Sequence, residues 1–139
     1  MATYVKFEQF VEDLAKGVHQ LHAAGHTLKA YLSNTAPNAA TNAVKGDLAE
    51  ITNQNGYTAP VDIQNDVSRS GATLTLTAVD IVITATGAVG PFQYVVIYND
   101  TPTSPADPLV CYFDYGSSIT MANGETFTID FGASLATLA

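Results

Sequence analysis

The sequence has no tryptophan, one cysteine and only five basic side chains in 139 residues. Scarce cations argue against nucleic acid as a partner, because duplex binding needs clustered Lys and Arg to displace counterions. A lone cysteine makes no internal disulfide, and an exposed single thiol suits an oxidising compartment poorly, so cytoplasmic synthesis is expected. No run approaches the ~18 unbroken apolar residues of a membrane span, and no membrane role is expected. The N-terminus shows no targeting pattern: Lys6, Glu8, Glu12, Asp13 and Lys16 interrupt the apolar residues where a signal core would lie. Charged residues are 13% of the chain and hydrophobic ones 47%, which excludes a disordered tail. What remains is a chain of net charge −8 whose length suits one domain, residues 1–139. A domain near this size buries roughly two-thirds of its unfolded surface and needs no metal or disulfide staple.

The first part has helical spacing. Phe7, Phe10, Val11, Leu14, Val18 and Leu21 step by 3, 1, 3, 4 and 3. This predicts an amphipathic helix over 4–22 with those residues in one apolar stripe and Glu8, Glu12, Asp13 and Lys16 opposite. Thr3 is the expected N-cap and Gly25 the expected stop. Gly17 weakens the interior by about 1 kcal/mol relative to Ala.

From Thr27 the period falls towards two. Strands are expected over 27–33, 61–67, 73–77, 80–86, 92–98 and 109–115, with a short closing strand over 135–138. Leu74 and Leu76 share one face against Thr73, Thr75 and Thr77, and Ile81, Ile83 and Ala85 repeat the pattern. Phe92–Tyr98 is apolar on both faces, as a covered central strand would be. Segments 118–122 and 125–131 flank Asn123-Gly124, which predicts a hairpin with a type I′ turn. Residues 35–56 read as a long surface excursion with a helical turn around Val44–Ile51. The three prolines of 101–108 mark a loop. Short strands, frequent turns and 17 Thr residues predict a mainly β fold. The strand pattern suits a sandwich or a barrel, and the expected architecture is an antiparallel β-sandwich (helix 4–22, then sandwich 27–138).

Candidate chemistry is sparse. His19, His22 and His26 are spaced i, i+3, i+7, a pattern that can place imidazoles on one helix face for a metal. The favoured reading is a polar rim with capping contacts, since Gly25 would end the helix before His26 and no carboxylate is adjacent in sequence. Cys111 lies in an apolar, aromatic strand and reads as a buried inert thiol. Asp62 with Asp66, and Asp100 with Asp107, lack the dense oxygen spacing of a calcium loop. Gly116-Ser117-Ser118 is no nucleophile elbow. Tyr94, Tyr98, Tyr112, Phe113 and Tyr115 offer rings for sugar stacking, but packing is the favoured role. No catalytic, cofactor-binding or metal-ligating residue is therefore assigned. No small-molecule substrate is expected, and the reading is of a non-enzyme. All five basic residues occur by Arg69, and six acids without a base follow Ser70. This favours simple solubility, with steering of a basic partner as the alternative.

Several segments resemble a family of small virion proteins of tailed bacteriophages and prophages. They run from Lys6-Phe7 to Gly17-Val18-His19, over Thr27–Pro37, Asn55-Gly56-Tyr57-Thr58 and Gly90–Asp100, and then over Asp107-Pro108-Leu109, Asp114–Ser118 and Gly124–Asp130. The chain departs from the family at Cys111-Tyr112-Phe113, where relatives often carry Trp. The resemblance implies a capsid cement (decoration) protein, jelly-roll-like, synthesised in the host cytoplasm and located on the capsid surface. Its implied partners are the major capsid protein and copies of itself. The alternative role is a tail-fibre, baseplate or receptor-binding component using the aromatic strand face and loops 35–56 and 99–108. A small hydrolase or metal enzyme would need His22 or Asp114.

Overall fold

The longest apolar runs become the two longest strands. The computed structural model describes residues 2–138. In chain order the elements are β1 (Thr3–Lys6), α1 (Glu8–Ala15), β2 (Leu28–Ser33), β3 (Val61–Asp62), β4 (Asp66–Ser70) and β5 (Thr73–Thr77). They continue with β6 (Ile81–Thr84), β7 (Val89–Asn99), β8 (Leu109–Met121), β9 (Thr126–Ile129) and β10 (Ala136–Leu138). A five-stranded sheet of order β1-β8-β7-β2-β3 packs with a three-stranded sheet, β10-β5-β4, and a β6-β9 pair. Every pairing is antiparallel. The chain forms the expected mainly β, sandwich-like fold with a short N-terminal helix, and it is not a closed barrel.

β7 and β2 form the centre. Val96, Ile97, Tyr98, Leu28, Leu32 and Tyr31 are all essentially inaccessible. Each such side chain contributes roughly 1.5–3 kcal/mol through burial. β7 begins at Val89 rather than Phe92 because Gly90-Pro91 is absorbed at a register shift, between the pairs Val89–Met121 and Phe92–Ile119. Gly90 has φ +124°, and a Cβ there would stand 2.6 Å from the Ile119 carbonyl oxygen. Only glycine allows that approach.

The helix is shorter than expected. Thr3–Lys6 is an edge strand, with Tyr4 opposite Phe113 and Val5 opposite Tyr112. Phe7, fully buried, stands at the N-cap position in extended conformation, so Thr3 does not cap α1. Gly17, not Gly25, ends the helix. At φ +79° it donates to the Leu14 carbonyl while Val18 donates to that of Asp13. These paired bonds satisfy carbonyls that a helix end leaves open, and glycine takes the left-handed angle without a Cβ penalty. The stripe is also narrower than expected. Phe10 and Asp13 are buried, whereas Val11 is 52% exposed.

Two expected strands change character. Segment 61–67 breaks at Gln64, whose φ of +51° turns the chain from β3, paired with β2, to β4, paired with β5. The Asn123-Gly124 turn exists, with Glu125 N–H donating to the Ala122 carbonyl, and Gly124 has φ +88°. It is not the hairpin of a type I′ turn. Asn123 is not at positive φ, and β9 pairs with β6 instead of β8. Residues 118–121 of the expected segment 118–122 belong to β8, which ends at Met121. In the excursion 35–56, the helical turn contracts to Lys45–Asp47.

Candidate functional site

The richest polar cluster lies where residues 17–27 cross from α1 to β2. This strap has no regular secondary structure and closes on itself. His26 N–H donates to the Gln20 carbonyl at 2.8 Å, and Gly25 N–H to that of His22 at 2.9 Å. Gly25 thus tightens the strap instead of stopping the helix, and a Cβ there would meet the Gln20 carbonyl oxygen at 2.7 Å.

Two buried asparagines hold the strap. Asn65, just past the break at Gln64, donates its side-chain amide to the Leu21 and His26 carbonyls at 2.8 and 3.0 Å, and accepts from Leu28 N–H. Asn99, at the end of β7, meets the imidazoles. Its Nδ2 lies 3.0 Å from His19 Nδ1 and 2.9 Å from His26 Nδ1. Gln20 N–H also points at His26 Nδ1, at 3.2 Å.

The donors fix the protonation pattern. A backbone N–H only donates, so His26 Nδ1 carries a lone pair. The Asn99 atom facing it is then the amide nitrogen, and the same NH₂ requires a lone pair on His19 Nδ1. Thr101 N–H donating to Asn99 Oδ1 agrees with this orientation. Both imidazoles are therefore neutral, with the proton on Nε2. Burial pulls the His19 pKa down to about 4, against the opposing charge of Asp13. His19 Nε2 and Asp13 Oδ2 are both buried without a hydrogen-bond partner. Phe10 packs against the His19 ring at 4.9 Å.

The histidine spacing thus produces a different arrangement from one helix face. His19 and His26 meet through Asn99, while His22 is exposed and lies towards Asp66, whose Oδ1 accepts from Ala23 N–H. With Nδ1 engaged and Nε2 protonated, neither clasped imidazole has a lone pair for a metal. Among the described residues no group of three or more His, Cys, Asp or Glu gathers for one.

The other candidates are dispersed. Cys111 is inaccessible, and burial pushes its thiol up, away from thiolate. Asp62 Oδ1 accepts from Gln64 N–H, and Asp100 pairs with Lys29 at 2.8 Å. Asp107 sits at φ +51° in the loop before β8. Asp114 Oδ1 accepts from Gly116 N–H and from Gln93 Nε2. Gly116-Ser117-Ser118 lies within β8, without a following helix.

The aromatic residues pack edge to face more than they present open rings. Tyr98 stands against Tyr31 at 5.7 Å, Tyr94 against Tyr112 at 6.2 Å, and Phe113 tilts against Phe131 at 6.0 Å. Tyr115 is 49% exposed and borders a groove with Phe113, Phe127, Phe131 and Asp130. A second apolar groove runs between α1 and the β5–β10 edge, lined by Phe10, Val11, Leu14, Leu74 and Leu138, with Leu21 of the strap at its side. Both grooves join segments far apart in sequence, which hid them from a reading of periodicity. No helix among the described residues is long and apolar enough to cross a membrane. Comparison with protein-family models, curated proteins and solved structures finds no match to this chain.

Proposed function

We propose that the protein is a bacteriophage virion structural protein, a capsid cement protein that binds the assembled head. The reading rests on the sequence resemblance and on one structural observation. Apolar side chains remain at the surface along the α1–β10 groove, where Val11 is 52% and Leu138 57% exposed. Contiguous exposed apolar surface marks contact sites in soluble proteins. A cement protein acts by contact area repeated through symmetry and needs no reaction centre. Binding the assembled form alone stabilises it by mass action. The major capsid protein and further copies of this chain are the partners of this reading, and the virion surface is its location.

The test is head binding by Val11→Asp and Leu138→Asp. Both sites are solvent-exposed, so each variant is expected to keep the wild-type melting temperature while head occupancy drops at least about tenfold, equivalent to 1.4 kcal/mol per contact. Full occupancy by both folded variants would reject this surface as the contact. Exclusive recovery with tails would favour the tail-fibre, baseplate or receptor-binding alternative.

A further inference from the structure

We propose that the His19–Asn99–His26 cluster is an acid-released clasp: it ties the strap to the end of β7 at neutral pH and lets go when the imidazoles take up protons. The inference is independent of the virion reading.

The argument starts from donor counting. Asn99 has two side-chain N–H bonds, and each points at an imidazole Nδ1, at 3.0 and 2.9 Å. Its Oδ1 faces Thr101 N–H. A protonated Nδ1 is a donor, and no acceptor stands opposite it. Protonating either ring therefore sets N–H against N–H. At His26 the conflict is double, because Gln20 N–H shares that nitrogen. Imidazole is the one side chain whose ordinary charge change lies in the mildly acid range.

The charged groups around the clasp come from every neighbouring element. Asp13 of α1 is buried with Oδ2 unpaired, and its charge favours imidazolium at His19 without an aligned hydrogen bond. His26 opposes that charging. On the β4 side, Asp66 is engaged by Ala23 and Val67 N–H and faces His22. Beyond β7, Asp100 is held by Lys29 of β2. Burial of His19 outweighs the Asp13 attraction, so its proton arrives only below the ordinary range.

The Asn65 clamp behaves differently. It holds Leu21 and His26 through backbone carbonyls, which do not titrate at these pH values. Release is thus confined to the imidazole ties of His19 and His26 and to the Gln20 amide, because the Val18 N–H bond to the Asp13 carbonyl and the His26 N–H bond to the Gln20 carbonyl do not titrate either. Leu21 flanks the α1–β10 groove, so the released Gln20 amide adjoins that apolar surface.

Amide hydrogen exchange by NMR, corrected for intrinsic rates, tests this on the full chain. The Gln20 amide is the direct reporter, because its acceptor is His26 Nδ1. Its protection is expected to fall about tenfold or more from pH 7.5 to 4.5, while Val96 and Ile97 amides stay protected. Asn99→Asp supplies a carboxylate that accepts from protonated Nδ1, so its strap is expected to tighten as pH falls. The double variant His19→Gln/His26→Gln is expected to lose the response. Unchanged Gln20 protection in the wild type would overturn the proposal, as would loss of strap and β7 protection together. Should the variants fail to fold, imidazole ¹⁵N shifts of the wild type decide: Nε2–H tautomers at pH 7.5 support the clasp, and Nδ1–H tautomers refute it.

Discussion

The Lys45 ammonium stands 5.0 Å from the centre of the Tyr31 ring and pairs with Glu50 at 3.0 Å. It also lies 5.6 Å from the Tyr98 ring. One cation thereby ties the excursion over 35–56 to the two central strands, β2 and β7. Its side chain is about a quarter exposed, so the pair is only partly screened. Lys45→Met keeps most of the stem and removes the charge. It is expected to cost about 1–2 kcal/mol, the scale of a partly desolvated cation–π contact. Chemical denaturation of the variant and of Glu50→Gln checks this, and an unchanged midpoint in Lys45→Met would show that the ring contacts contribute nothing.

Stability should fall on mild acidification through His19. Its folded pKa, about 4, lies below the 6.5 of an unperturbed imidazole. The unfolded chain therefore binds a proton that the folded chain refuses. The contribution is fully present above pH 6.5 and is lost as pH falls towards 4. Its ceiling is on the order of 3 kcal/mol from the size of the shift. Urea midpoints at pH 7.5 and 4.5, compared between wild type and His19→Gln, separate this from the acidic side chains. A smaller drop in the variant is expected, and an equal drop would contradict the assignment.

Two glycines should respond differently to alanine. Gly17→Ala meets nothing within 4 Å and bears only the left-handed backbone penalty, about 1 kcal/mol. Gly90→Ala adds a collision with the Ile119 carbonyl, between the last two pairs at the Val89–Met121 end of the β7–β8 ladder, and should cost about 3 kcal/mol or more. Equal melting temperatures for the two variants would show that the register shift at Gly90 relaxes freely.

Period-two alternation carried much of the fold. Ile81, Ile83 and Ala85 all turn inward, and Phe92–Tyr98 lies in the covered central strand. The N-terminus misled because the 3-and-4 spacing of Phe7, Phe10 and Leu14 extends by coincidence into Tyr4–Lys6. There, pairing with β8 outweighs local periodicity. Gln64 and Gly17 act through positive φ angles, which apolar spacing does not encode. Asn99 is the clearest omission. It ends a strand, and its partners lie 80 and 73 residues away in sequence. The spacing of the histidine triplet predicts a polar rim, but the residue joining two of its members carries no local signal. The grooves were equally hidden, since each is assembled from strands distant along the chain.

The most direct measurement of the virion reading is the number of copies of this chain per purified particle, counted by quantitative mass spectrometry against the major capsid protein. A cement protein predicts near-stoichiometric amounts on intact heads. Absence from purified heads would contradict the account.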